Sequence, residues 1–163
     1  MILITVGTEK YPFNRLMLWI DLLANHGFLD SEQEEIVVQY GNCTILPTGV
    51  KVYRLLPETE FSRLLKRARL VIAHCGEGTM DLLTELEKPF VLVPRQHRFG
   101  EHLDDHQLEL AGVLKELGFA IAYSPGDLAR FLSAPQSEPM IHVGEMLSAK
   151  LCQKLSDRFP ANA

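Results

Sequence analysis

Leu70–Pro94, LVIAHCGEGTMDLLTELEKPFVLVP, is the stretch whose reading decides the fold. Leu70–Ala73 is a continuous apolar run of the kind found in strands buried on both faces. His74-Cys75-Gly76-Glu77-Gly78-Thr79 follows as a glycine turn ending in a hydroxyl. Met80, Leu82, Leu83 and Leu86 then recur at helical spacing, Lys88-Pro89 ends the helix, and Phe90–Val93 reads as the next parallel strand. Together they make a βαβ unit. Its helix opens with backbone N–H groups that lack intrahelical acceptors and with the positive end of the helix dipole, which suits an anion, most often a phosphate. The plainer reading is that Gly76 and Gly78 only shape the turn and Thr79 only caps the helix. Two familiar phosphate loops are excluded. No Gly-Lys-Ser/Thr closes the turn, and the third glycine of the dinucleotide fingerprint is missing.

Outward from this unit the chain keeps alternating strand and helix. Ile2–Val6 is a first strand, with the turn Gly7-Thr8 at its carboxyl end. Ligands of open α/β sheets gather there, so this turn is expected to share a crevice with residues 74–79. Phe13, Leu16, Met17, Ile20, Leu23 and Ala24 have helical spacing up to Asn25-His26-Gly27. Strands are expected at Ile36–Tyr40 and Val50–Leu55. A short helix then carries Phe61, Leu64, Leu65 and Ala68 inward, and Arg63, Lys66, Arg67 and Arg69 on its far side. That basic side is a solvated face or, alternatively, a contact for an acidic membrane or partner surface. Beyond Pro94 come a polar loop, a helix to about Leu117, a strand at Phe119–Tyr123, and a short helix opened by Ser124-Pro125-Gly126-Asp127 and running to Leu132. A loop of breakers over 133–139 and a last helix over 140–159 complete the chain. The pattern predicts an α/β fold, a Rossmann-like parallel sheet with helices on both faces, as a single domain over residues 1–163.

Composition narrows the functional classes. With 163 residues, 47% apolar, and a mean hydropathy of +0.03, the chain reads as one soluble globular domain. A net charge of -5 argues against a surface for nucleic acid. No apolar run approaches the ~20 residues that span a bilayer. Met1-Ile2-Leu3-Ile4-Thr5-Val6 enters a strand at once, without a basic region or cleavage site, so a cytosolic location is expected. Cys43, Cys75 and Cys152 are scattered, as in a reducing compartment. Cys75 is either a nucleophile or, the better reading with no base placed beside it, a small buried thiol.

The segment 95–107 is dense in titratable groups: His97, Glu101, His102, Asp104, Asp105 and His106. His102 and His106, at i and i+4 of one helix face, would hold zinc if a third ligand arrived, but the glutamate of a metalloprotease motif is absent. A second reading is a helix start with carboxylates in its first turn. A third is sugar recognition, in which carboxylates and the amide of Gln107 meet vicinal hydroxyls. If residues 76–79 hold a diphosphate, a sugar beyond it would lie where the next crossover begins. That consistency favours sugar over metal.

Four motifs in register then resemble a known family. They are Thr5-Val6-Gly7-Thr8 with Pro12-Phe13; His74-x-Gly76-x-Gly78-Thr79; Lys88-Pro89-x-Val91-x-Val93-Pro94-Arg95; and Gly100-Glu101-His102-x-Asp104-Asp105-His106-Gln107. They resemble the C-terminal domain of glycosyltransferase family 28, in its small-subunit type. That type includes the small subunit of two-chain bacterial exopolysaccharide glycosyltransferases and the catalytic subunit of the dolichol-linked N-acetylglucosaminyltransferase.

The resemblance implies half of a GT-B enzyme that takes a UDP-sugar as co-substrate, with no cofactor and no bound metal. A separate, membrane-anchored subunit would grip a lipid-linked glycan acceptor and recruit this chain to the cytoplasmic face of the membrane. Transfer would invert the anomeric centre. By the same resemblance Gly76, Glu77, Gly78 and Thr79 would meet the diphosphate, and Gly7 and Thr8 would line the same cleft. Asp105 and Gln107 would bind the sugar beside His102, and His74 and Glu101 are the catalytic candidates; the neighbours of His74 suggest a structural or phosphate role, and the alternative source of the general base is the partner chain. Many relatives carry a ribose-binding glutamate three residues after the Ser/Thr; here that position is Leu82, preceded by Asp81. Two rivals stand beside this. One is a non-catalytic nucleotide-sugar-binding module or partner-stabilising pseudo-enzyme. The other, a flavodoxin-like or response-regulator-like domain, is disfavoured because only Gly7-Thr8-Glu9 follows the first strand, with no acidic cluster.

Overall fold

The computed structural model describes residues 1–85 and 88–133. Leu86, the loop over 134–139, the helix expected over 140–159 and Cys152 lie outside the described residues. In chain order the elements are β1 (Ile2–Thr5), α1 (Asn14–Asn25), β2 (Ile36–Gln39), β3 (Lys51–Tyr53), α2 (Glu58–Arg67), β4 (Leu70–His74), α3 (Glu77–Glu85), β5 (Phe90–Val93), a 3-10 turn at His97–Phe99, α4 (His106–Glu116) and α5 (Pro125–Ser133).

Every strand pair is parallel, in the order β3-β2-β1-β4-β5. Alternate strand residues face opposite layers. Ile2, Ile4, Val38, Ile72 and Val91 pack with α1 and α5, whereas Leu3, Val37, Val71, Ala73 and Leu92 pack with α2, α3 and α4. Both faces are covered, which is why β1, β2, β4 and β5 are apolar runs rather than alternating patterns.

Two sequence expectations change. The strand at Phe119–Tyr123 is cut to one bridge, Leu92 to Ile121. The Leu92 N–H donates to the Ala120 carbonyl and the Ala122 N–H to the Leu92 carbonyl, each at 2.9 Å. The ladder stops there because the Asp127 carboxylate takes the N–H groups of Tyr123 and Ser124, each at 3.1 Å, into the start of α5. The third strand is shorter than expected, and Lys51, Val52 and Tyr53 are all exposed on the sheet's edge. On the basic side of α2, Arg63 pairs with Glu60, Arg67 with Glu35 and Arg69 with Glu34. That face is solvated and paired within the molecule.

The order of strands places the functional edge. From β1 the chain winds outward to β2 and β3, then returns to β4 on the other side of β1. This reversal between β1 and β4 is the switch point at which open α/β sheets leave a crevice at the strands' carboxyl ends.

Candidate functional site

A crevice of about 730 Å³ occupies the switch point. Thr5, Gly7 and Thr8 enter it from the end of β1, and His74, Gly76, Glu77, Gly78 and Thr79 from the end of β4 and start of α3. His102, Asp104, His106 and Gln107 close it from the segment before and within the first turn of α4. The turns after β1 and β4 therefore share one cavity, as their places in the sequence predict.

Three helices begin at this cavity. In α3 the amides of Thr79 and Met80 both donate to the Gly76 carbonyl, at 3.1 and 3.0 Å, so the amides of Glu77 and Gly78 lead the helix ahead of its first internal bonds. The starts of α2, at Glu58, and of α4, at His106 and Gln107, line the same space. Leu56 and Phe61 add an apolar wall. Among the described residues that line the crevice there is no lysine or arginine. The groups in it that suit a spread anion such as a diphosphate are the free amides at the helix starts and the imidazoles, set among the carboxylates of Glu9, Glu58, Glu77, Asp104 and Glu109. A Cβ built on Gly78 meets nothing within 4 Å, so this position opens onto the cavity.

His74 ends β4 and is only 7% exposed. A Cβ on Gly7 would stand 2.7 Å from its Nε2 and nearer still to Cε1; a Cβ on Gly76 would stand 2.9 Å from Cδ2 and nearer still to Nε2. The two glycines are thus small because the imidazole lies between their backbones. Gly7 also has a φ of +73°, where other residues are strained. Burial, then the positive charges of Arg95 and His102, push the His74 pKa down to about 4. A ring that holds a proton so poorly is a weak general base. Its Nδ1 has no partner among the described residues.

Beneath the crevice, Arg95 is fully buried. Nη1 donates to the carbonyls of Tyr11 (2.8 Å) and Glu101 (2.9 Å), and Nη2 to that of Val6 (2.7 Å). The guanidinium also lies 4.8 Å from the Phe13 ring centroid. Burial pulls its pKa below the usual arginine value. One side chain thereby ties the loop after β1 to the loop after β5, and sequence reading assigns it no role. A Pro-Arg pair immediately after a buried strand was the available signal.

Glu101 stands apart from the crevice. Its carboxylate is buried, accepting from Arg15 Nε and Nη2, each at 2.8 Å, and from the Gln96 N–H at 2.9 Å. Arg15 itself is packed 4.7 Å from the Trp19 ring centroid and 5.2 Å from those of Phe13 and Phe99. Both Glu101 oxygens are committed to bracing the loop rather than to a substrate. Asp105 is also outside: it is exposed, and its Oδ1 accepts from the His97 N–H at 2.8 Å. Gln107 is buried in the crevice wall, its Oε1 accepting from the Arg95 N–H at 3.2 Å.

The helix-face geometry expected of His102 and His106 is not met, because α4 begins only at His106. The two imidazoles converge on Asp104 instead. His102 Nδ1 is 2.8 Å from Oδ1, and His106 Nδ1 is 3.0 Å from Oδ2. Asp104 had no separate role in the sequence; its position between two histidines was the clue. Among the described residues no group of three or more His, Cys, Asp or Glu is arranged to hold a metal ion. Cys75 is buried beside the crevice, and burial pushes its thiol up to about 12, so it stays protonated. Leu82 packs against the core, and Asp81 lies outside the lining of the crevice.

Residues 1–153 match the family described as the glycosyltransferase family 28 C-terminal domain. Among curated proteins, the chain is 29% identical over 107 residues to the UDP-N-acetylglucosamine--N-acetylmuramyl-(pentapeptide) pyrophosphoryl-undecaprenol N-acetylglucosamine transferase of Prochlorococcus marinus strain MIT 9301. The same enzyme of strain MIT 9312 is 28% identical over 107 residues. In each case the match covers 63% of this chain and 28% of the relative, so the chain spans well under half the length of these relatives. The fold matches the glycosyltransferase SnogD from Streptomyces nogalater with a TM-score of 0.54 at 21% identity, over 96% of this chain and 43% of that one. The calicheamicin glycosyltransferase CalG4 matches with a TM-score of 0.52 at 17% identity, over 98% and 44%. These neighbours share with this chain the parallel sheet packed between helices.

Proposed function

The chain belongs to the glycosyltransferase family 28 C-terminal domain family, and on that premise we propose that its crevice binds a UDP-sugar and that the chain is the donor-binding catalytic subunit of an inverting glycosyltransferase. The observation that carries this reading is the meeting of three helix starts at the β1–β4 switch point, in a cavity lined by Gly7, Gly76 and Gly78. The diphosphate sits against the leading amides of α3 and Thr79, which stabilise the charge that grows on departing UDP. The neutral His74 ring serves the phosphate as a hydrogen-bonding partner. The hexosyl group lies toward Gln107. The relatives' own donor, UDP-N-acetylglucosamine, is the first sugar nucleotide to test.

The acceptor is a lipid-linked glycan, gripped by a separate membrane-anchored subunit that brings this single-domain chain to the cytoplasmic face of the membrane. Among the described residues no helix is long and apolar enough to cross a membrane. UDP-sugar is a co-substrate, and the reaction uses no cofactor and no bound metal. The leaving group's charge is met by helix dipoles instead.

Titration with UDP-N-acetylglucosamine tests the donor site. Wild type binds, and Gly78→Glu loses at least tenfold in affinity while keeping its melting temperature, since a side chain there points into open space. Equal affinity in both proteins would overturn the reading. Formation of glycosylated lipid with the partner subunit separates an enzyme from a binding module.

A further inference from the structure

Glycosyl transfer needs a group that takes the acceptor's proton, and neither catalytic candidate from the sequence suits that task. His74 is buried between glycine backbones, and Glu101 is locked onto Arg15. We propose that His102 is the general base, and that Asp104 is the positioning residue that sets its tautomer and orientation. This rests on the UDP-sugar reading of the crevice.

The geometry is that of a carboxylate-oriented imidazole. His102 lines the crevice and its side chain is 21% exposed, reachable yet held. Its Nδ1 lies 2.8 Å from Asp104 Oδ1, which fixes the proton on Nδ1 and leaves the Nε2 lone pair free. The Asp104 amide, at 3.4 Å from the same Nδ1, is the weaker partner and would favour the opposite tautomer. The ring also rests near Tyr11, with centroids 6.3 Å apart. His97 Nδ1 lies 3.3 Å from the His102 carbonyl, and Asp105 holds the His97 amide, so the backbone under the ring is braced as well. The Asp104 carboxyl is held below the usual carboxylate range, first by the His106 N–H it accepts and then by His102, so it remains charged opposite an imidazolium. His106 shares Asp104, but its side chain is 76% exposed at the rim.

The step balances without any further reagent. The acceptor hydroxyl gives its proton to His102 Nε2 as its oxygen bonds to the anomeric carbon. The bond from that carbon to the β-phosphate oxygen breaks, and its electron pair leaves with UDP. The imidazolium, paired with Asp104, then returns the proton to solvent.

UDP release to water from UDP-N-acetylglucosamine, measured on the full chain alongside a binding titration, is the test. In His102→Ala the release rate falls about a hundredfold or more, nucleotide-sugar affinity stays within twofold, and added imidazole restores part of the rate. Asp104→Asn lowers the rate by a smaller factor without changing donor affinity. His102→Ala releasing UDP at the wild-type rate would overturn the proposal. So would a wild-type chain that binds the donor yet releases no UDP, because a base poised at the anomeric carbon activates water as it does a hydroxyl. A chain that does not bind the donor fails earlier, at the titration, and takes the donor-site reading down with this one.

Discussion

His74 is the residue on which chemistry and stability meet. Folded, it titrates at about 4; unfolded, at about 6.5. Between those values the unfolded chain binds a proton that the folded chain refuses, so its contribution is complete above about pH 6.5 and is lost as pH falls toward about 4. The loss amounts to about 3 kcal/mol. Chemical denaturation across pH 7 to 4.5 checks this, and His74→Asn flattens the profile. The flanking glycines divide by the same geometry. Gly76→Ala drives a methyl into the imidazole and costs about 1–3 kcal/mol, whereas Gly78→Ala leaves stability unchanged or slightly raised, since nothing lies within 4 Å. Urea midpoints of the two variants distinguish them. Sequence spacing marks both glycines as turn residues; it is silent on the ring between Gly7 and Gly76, because those positions meet only through the β1–β4 pairing.

At the scale of elements, the segment after β5 is a braced platform. Arg95 hangs it from the Val6 and Tyr11 carbonyls, and the Arg15–Glu101 pair fastens it to α1. Removing one partner of so buried a pair leaves the other charge unmatched. Glu101→Ala is therefore expected to cost about 3–5 kcal/mol while altering donor affinity little once the variant is folded, as thermal melting and nucleotide titration will show. A catalytic Glu101 would give the reverse, a stable protein that does not turn over.

The central βαβ unit is legible in the sequence because its strands are uniform apolar runs broken by glycine and by Lys88-Pro89. The roles of Glu101 and Arg95 are not, because their partners lie far away along the chain. Arg15 is 86 residues before Glu101, and the Val6 carbonyl is 89 before Arg95. The early helix start expected at His102 fails for a local reason. Asp104 captures His102 and the amide and ring of His106, holding the chain in a bend until α4 begins.

Across the whole molecule, a net charge of -5 coexists with a crevice proposed to take an anion. Long-range attraction is therefore a minor part of donor binding, and affinity rests on short-range contacts with the leading amides of α3 and the His74 ring. Donor affinity is expected to vary less than threefold between 50 and 300 mM salt, and saturating chelator is expected to leave transfer with the partner subunit undiminished. The location of the crevice follows from topology alone, since a 3-2-1-4-5 order has a single reversal and the Gly7-Thr8 and Gly76–Thr79 turns flank it. Which side chains face inward depends on how α4 is entered, and that is set by the Asp104 bend.

The most direct measurement is the crystal structure of the chain with UDP-N-acetylglucosamine bound. The pyrophosphate oxygens should lie about 2.7–3.2 Å from the amides of Glu77 and Gly78, with the sugar extending toward Gln107 and His102. A nucleotide seated anywhere else, or a pyrophosphate out of reach of both amides, would contradict the donor site proposed for this fold.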